Sequence, residues 1–458
     1  MWRFYEPRAL LRVPHTLLRG TMSHHIPSVS WYQARQILHE QGLDIAHHVK
    51  TESLPLLATI GHYLAADIHS VMPVPHYSSS AMDGYAVAGA PPWRLVTPAY
   101  PEDSRANIHR LTVPIAPGEA TPILTGGLIP EGTEAIVREE HSRLYEGAEA
   151  SSRPGVAAHL ETASSIHYLD MAEGFEPPAL GADIRHAGAE LERGELLARH
   201  GDRISARMAA FLGTNGFDEL PVYAPIPVRC AFTGNEVITF GVPAPGQVRD
   251  AFGGFMEHAI ISAGCEARPS IRLADVESEF RTFLSTSTAR VLVFTGGSST
   301  SGVDLVRKVL NDIGATYLFE SVDVRPGHPA LAARLPVPET GPNSGRERFV
   351  LGLPGNPLAA YTALYSYLPP LLAGMRNMPL PDLDSAVLGG PVDTLRKPAG
   401  VRLLPVSVRD GVAYPLPKSA SHMLSSLAAA THCAVLDDSS VRGSAHEVGA
   451  RVPIIPVL

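Results

Sequence analysis

The chain has 458 residues, 45% hydrophobic and 18% charged, with a formal net charge of -9. That is too long for one ordinary core, so two to four domains are expected, and the composition is that of a folded protein rather than a disordered one. The negative balance argues against a nucleic-acid partner, whose phosphates need a basic surface, but a local basic pocket can still take a small anion.

Cys230, Cys265 and Cys433 are far apart and form no paired motif. They suggest neither a disulfide framework nor a zinc site, and they fit a reducing, cytoplasmic compartment. No apolar run reaches membrane-spanning length. In chain order, residues 1–21 carry Arg3, Arg8, Arg12 and Arg19 without a continuous apolar core. They read as a short basic tail rather than a secretory signal, with Met22 as an alternative start. A helix is predicted over 31–41, with Ala34, Ile37 and Leu38 as its apolar stripe, followed by a segment of mixed character over 54–68. Residues 75–87 (PHYSSSAMDGYAV) place Asp83 between Met82 and Gly84, with small hydroxyl residues before and an apolar strand after. Alone this reads equally well as a β-turn entering a strand. Residues 91–130, rich in Pro, Gly, Thr and Val, predict short strands of a small β domain, and 145–178 a hairpin and loop. Residues 188–216 predict a short strand and a helix ended by Asn215 and Gly216, and 221–227 a proline-rich linker.

From 228 the texture changes. Strand 228–232, helices 251–263 and 276–285, apolar strand 289–295, helix 304–313 and a strand–loop–helix over 351–372 alternate as in an open, doubly wound parallel sheet. Such sheets bind ligands at the carboxyl ends of their strands, so loops 233–236, 295–303 and 353–357 are the candidates. Gly296, Gly297, Ser298, Ser299 and Thr300 follow a strand and precede a helix, an arrangement that serves either as a phosphate cradle or as a tight turn. No lysine follows, so this is not a Walker loop. Asp304 stands at the helix start, where the dipole favours a carboxylate. Pro354, Gly355, Asn356 and Pro357 force a rigid turn; Pro357 suits a first helical turn, and Asn356 either caps the helix or offers its amide to a heterocycle. Short strands over 401–457 predict a small C-terminal β domain.

Five blocks in order, 75–87, 122–137 (PILTGGLIPEGTEAIV), 294–304 (FTGGSSTSGVD), 325–329 (RPGHP) and 351–357 (LGLPGNP), resemble the molybdopterin molybdenumtransferases, the MoeA-like family that includes the E domain of gephyrin. The resemblance runs from about Ser28 to the C-terminus. It implies a multidomain α/β protein: a tail over 1–27, a linker-type domain of 28–75 with 183–227, an inserted β-rich domain over 76–182, a molybdopterin-binding-like sheet domain over 228–378, and a C-terminal β domain over 379–458. It implies transfer of molybdate onto adenylylated molybdopterin with release of AMP, a homodimer, and contact with other molybdenum cofactor synthesis proteins. On this resemblance Asp83 and Thr125 face the sheet domain of the other subunit, and Asp83 is the Mg²⁺ ligand, as suits a hard ion. The 295–303 loop and Asp304 serve the phosphate end of the pterin, and Pro354, Gly355 and Asn356 its ring side. Thr233, Gly234, Asn235, Glu236 and Asp250 belong to the same site. Arg325 and His328 carry cationic roles, and Arg402 and Ser421 reach the oxyanion. Glu134 and Glu139 read as solvated surface carboxylates, with a structural role as the alternative.

The departures from the family cluster at the site. Ser-Thr-Gly-Asp-Glu becomes Phe232 to Glu236, with Asn235 in place of a carboxylate. Asp-Ser-Asn becomes Asp250, Ala251 and Phe252, and Gly-Glu-Asp becomes Gly188, Ala189 and Glu190. Lys-Pro-Gly-Lys-Pro becomes 325–329, so Arg325 keeps a charge with different geometry and His328 keeps one only when protonated. A family lysine four residues earlier falls on Ser321. These changes leave three readings: an active transferase, a molybdopterin-binding relative acting as carrier, sensor or scaffold, and a different nucleotide or pterin enzyme on the same sheet.

Overall fold

The computed structural model describes residues 28–96, 113–146, 167–296, 303–392, 400–437 and 447–457. The predicted tail over 1–27 and the middle of the 145–178 hairpin lie outside them. The chain forms two compact units, one of residues 50–224 and one containing 28–49 and the chain from 225 onward. Residues 28–49, which the sequence grouped with 50–75, thus fold with the larger unit.

In the larger unit α1 (Trp31–Asp44) opens with a capping box: Ser30 Oγ accepts from the Gln33 N–H, and the Gln33 side chain accepts from the Ser30 N–H. Then follow β1 (Ile226–Phe232), α2 (Phe255–Ser262), β2 (Cys265–Arg272), α3 (Glu277–Thr286), β3 (Val291–Thr295), α4 (Val303–Asp312), β4 (Thr316–Phe319), β5 (Leu331–Arg334), β6 (Phe349–Leu353) and α5 (Pro357–Met375). The sheet order is β2-β1-β3-β6-β5-β4. The first four strands are parallel, and β5 and β4 pair antiparallel at one edge. The expected doubly wound parallel sheet is present and carries an antiparallel edge. The β5–β6 connection over 335–348 contains no helix, and parallel strands need a long crossover, usually helical. Strand side chains alternate between two layers. Val228, Cys230, Val293 and Leu351 join the core of α1, α2 and α5, whereas Ala231, Leu292, Phe294 and Val350 join that of α3 and α4.

Two elements differ from the sequence expectation. The 221–227 linker is instead strand: Glu219–Tyr223 pairs with Thr51–Pro55, and β1 already begins at Ile226. Its prolines sit in a two-stranded ribbon and near a strand start, where a missing N–H is tolerated. Strand β2 went unforeseen because Pro269 and the charged residues around it obscure the apolar pattern.

Helix α5 is buried on nearly every side and carries Pro369 and Pro370 internally, which deprives preceding carbonyls of their helical donors. Arg35 of α1 supplies one, its Nη1 donating to Ser366 O at 3.3 Å, while Trp31 Nε1 donates to Ser366 Oγ at 3.0 Å. Beyond α5 the strands Asp384–Leu388, Val401–Arg409, Val412–Pro415, His432–Asp437 and Arg451–Pro456 close into a ring, because 401–409 pairs with both 412–415 and 432–437. Closure removes exposed edges. Val322–Arg325 adds to this ring in parallel with 401–409.

The smaller unit holds a six-stranded sheet ordered Ala135–Arg138, Gly84–Val87, Glu119–Ile123, Trp93–Leu95, His167–Met171 and Ser142–Glu146. A second core gathers Leu64, Ile204, Leu212 and Val222 around helix Ala206–Thr214. Among the described residues no helix is long and apolar enough to cross a membrane.

Candidate functional site

Strands β1, β3 and β6 end in register, Phe232 beside Thr295 and Thr295 beside Leu353. Three loops therefore leave the sheet side by side at its carboxyl end. The Thr233 N–H donates to Thr295 O at 3.1 Å. Gly296 adopts φ 94°, and a Cβ there would overlap the Thr233 hydroxyl, so only glycine lets the two loops come this close. Asn235 and Glu236 are exposed. Gly297, Ser298, Ser299 and Thr300 lie outside the described residues, and Asp304 is the second residue of α4.

Asn356 occupies the N-cap position of α5, but its side chain caps nothing. Its amide instead donates to Ser421 Oγ at 3.3 Å, and the Ala359 N–H donates to Ser421 O at 3.2 Å. The capping reading of Asn356 is thus replaced by a contact with a residue far along the chain. The 325–329 turn reaches the same place, since a Cβ on Gly327 would stand 3.9 Å from Ala359 O. Arg325 and Arg402 are register partners in adjacent parallel strands. Their neighbours Val324 and Val401 are buried, so both guanidinium side chains leave from the outward face. The His328 ring Nδ1 lies 2.8 Å from Val322 O.

Asp250 is held firmly. Its Oδ1 accepts from the N–H groups of Phe252 (2.9 Å) and Gly253 (3.1 Å), and its Oδ2 meets Arg272 at 2.5 Å. Burial pushes this carboxyl up, but the two N–H groups and Arg272 together hold it below the usual range. The resulting stabilisation is fully present above about pH 5 and fades as pH falls through the ordinary carboxylate value of about 3.9 and below. Asp250→Asn is therefore expected to flatten the acid limb of a plot of melting temperature against pH; an unchanged limb would contradict this assignment. Phe232 and Phe252, two of the departures, stack on each other with ring centroids 5.8 Å apart, and Tyr361 donates to Ala251 O at 2.9 Å. Aromatic packing thus holds the 250–254 turn.

In the smaller unit the Thr125 N–H donates to Asp83 Oδ1 at 2.6 Å, and the Glu139 N–H donates to Asp83 O at 3.1 Å. The structure therefore brings Asp83 and Thr125, forty-two positions apart, into contact. Of the two readings open for Glu134, solvated or structural, the structure favours the second: it accepts from the Gly89 N–H at 3.1 Å.

Two family descriptions match successive stretches of the chain: the MoeA N-terminal region (domain I and II) over 29–216, and a probable molybdopterin binding domain over 230–374. The chain belongs to the MoeA family. Its curated relatives include the molybdopterin molybdenumtransferase of Synechococcus elongatus, 29% identical over 84% of this chain and 90% of that one. The enzyme of the same name from Haemophilus influenzae is 27% identical over 75% of this chain and 77% of that one. A molybdopterin biosynthesis MoeA protein from Pyrococcus horikoshii has the same fold, with a TM-score of 0.66 at 20% identity over 94% of this chain and 100% of that one. Among the described residues of this MoeA-family chain no three His, Cys, Asp or Glu side chains form a metal cluster, and Asp250 is committed to Arg272. Sequence reasoning missed Arg272 because it missed β2. The signal was the strand that a helix ending at Gly264 demands in a βαβ sheet.

Proposed function

We propose that this MoeA-family protein transfers molybdate onto the dithiolene of adenylylated molybdopterin and releases AMP. The observation that carries this reading is the pair Arg325 and Arg402, set side by side on adjacent strands and linked through the 325–329 turn and α5 to Ser421 and Asn356. Two guanidinium groups side by side offer the forked, charge-assisted donors that suit an oxyanion. In this reading the arginines and Ser421 hold molybdate, His328 adds charge when protonated, and Asn356, Pro354 and Gly355 address the pterin. The two loops that begin at Thr233 and Gly296, together with Asp304, hold the phosphate end. Positioning and charge neutralisation then supply the rate. Mg²⁺ belongs to the same proposal. It commonly takes one or two carboxylates together with water and substrate phosphate, a mode that needs no three-carboxylate cage and assigns Asp83 as its protein ligand. A cytoplasmic homodimer, working with other proteins of cofactor synthesis, completes the proposal.

The test is AMP release from adenylylated molybdopterin by purified protein with Mg²⁺, with and without molybdate. Molybdate-dependent release is expected. Tight substrate binding without release would overturn the transfer reading in favour of a carrier.

A further inference from the structure

We propose that a cavity of about 270 Å³ at the amino end of the sheet binds a free α-amino acid with an apolar side chain, its carboxylate on Arg348 and its ammonium on Asn343. The place lies at the opposite end of the sheet from the loops described above. Arg348 directly precedes β6, whose first residue, Phe349, is the register partner of Val291 at the start of β3 and of Arg334 at the end of β5. The wall is built by the end of α3, by Ile313 just past α4, and by the 335–348 connection.

Both polar residues are buried, Asn343 at 2% and Arg348 at 5% exposure. They stand side by side, because Asn343 Nδ2 and Arg348 Nη1 both donate to Ser287 O, at 3.1 and 3.0 Å. Asn343 Nδ2 also donates to Ser285 O at 3.0 Å, and Arg348 Nη1 to Leu284 O at 2.7 Å. These bonds fasten the end of α3, where carbonyls lack helical donors and the dipole favours a cation. That structural duty accounts for Nδ2 and Nη1 alone. Arg348 Nε and Asn343 Oδ1 are buried with no partner among the described residues. An unmet donor beside an unmet acceptor is costly, and calls for a group that carries an acceptor and a donor on neighbouring atoms. Arg348 has no carboxylate partner among the described residues, and burial pushes its guanidinium down. The other cation on the wall, Arg281, is already paired with Glu277 and Asp312. One uncompensated positive charge selects one carboxylate, and Asn343 Oδ1 then accepts from an adjacent ammonium.

The rest of the wall decides the side chain. Leu284, Ile313, Leu335, Pro336, Pro338 and Pro342 make it mostly apolar. A bridging water would satisfy the two polar atoms but would leave the charge unanswered and the apolar space unfilled. The volume falls just below the range of about 300–1,000 Å³ that suits drug-sized ligands, so the occupant is small.

The experiment is calorimetric titration of the full chain with four probes. They are L-leucine, isocaproate (which lacks the ammonium), isopentylamine (which lacks the carboxylate) and N-acetyl-L-leucine, which imitates the carboxyl terminus of a peptide. Leucine is expected to bind at least about tenfold more tightly than each of the others. Its binding should slow amide hydrogen exchange over 277–287 and 335–348 and leave 233–236 and 353–357 unchanged. Arg348→Lys and Asn343→Leu should each weaken leucine about tenfold. If either variant fails to fold, the probe ranking and the exchange map of the wild type decide. No leucine binding at millimolar concentration overturns the site and leaves the two atoms to a bridging water. Isocaproate or isopentylamine binding as tightly as leucine also overturns it, as does slowed exchange confined to other segments. N-acetyl-L-leucine binding more tightly than leucine gives the cavity to a peptide terminus and overturns the free amino acid.

Discussion

Replacing Arg325 with alanine is expected to lower molybdate-dependent AMP release about 10²–10³-fold, the usual cost of losing one preorganised donor at a charged reacting group. The same change is expected to leave the melting temperature unchanged. Arg325 is exposed, its side chain supports no core, and its register partner is another arginine. Arg402→Ala should behave alike, and the double variant should cost far less than the product of the two, since residues that grip one ligand do not add. Arg325→Lys should recover part of the rate, because a point charge replaces a planar fork. Turnover of Arg325→Ala at the wild-type rate, with an unchanged molybdate KM, would remove the arginine pair from the mechanism.

The sheet architecture was readable because its signals are local. The Val-Leu-Val-Phe run of β3 marks a strand covered on both faces, and all of β3 is buried. The glycine at 296 and the proline at 357 announce a turn and a helix start through backbone constraints that need no tertiary context. What stayed hidden depends on contacts between distant residues. Nothing local in Asn356 or Ser421 says that their side chains meet across sixty-five positions. Read separately, Phe232 and Phe252 each look like the loss of a polar group from the site. In the structure they are one stacked pair, and the neighbouring Asp250 is held by Arg272, a residue on a strand that the sequence pattern did not disclose. A site in decay loses groups independently of one another. Here two changes compensate each other by packing, and a charge has its counter-charge. That coherence favours a rewired site over an abandoned one.

Gly374→Ala is expected to destabilise the larger unit by about 3 kcal/mol or more, at the upper end of overpacking penalties, and to lower its melting temperature by roughly 6–12 °C. Helices α1 and α5 cross at two glycines. A Cβ on Gly374 would overlap His39 O and stand 2.9 Å from Leu43 N, and one on Gly42 would overlap Leu371 O and stand 2.7 Å from Met375 N. All four obstructing atoms are backbone, so no rotamer change relieves the contact and the helices must separate. Separation also pulls Arg35 and Trp31 from Ser366. That strands a carbonyl which Pro370 already leaves without its helical donor, a loss of about 1–3 kcal/mol in a buried setting. The better helix propensity of alanine offsets only about 1 kcal/mol of this. Arg35 is itself buried, and burial pushes its guanidinium down to about 10. Gly42→Ala should cost a similar amount. The double variant should cost clearly less than the sum, because one separation of the helices accommodates both methyl groups. Strict additivity would mean that each glycine serves a separate local contact, and wild-type stability in either single variant would mean that the helices do not meet at these residues at all.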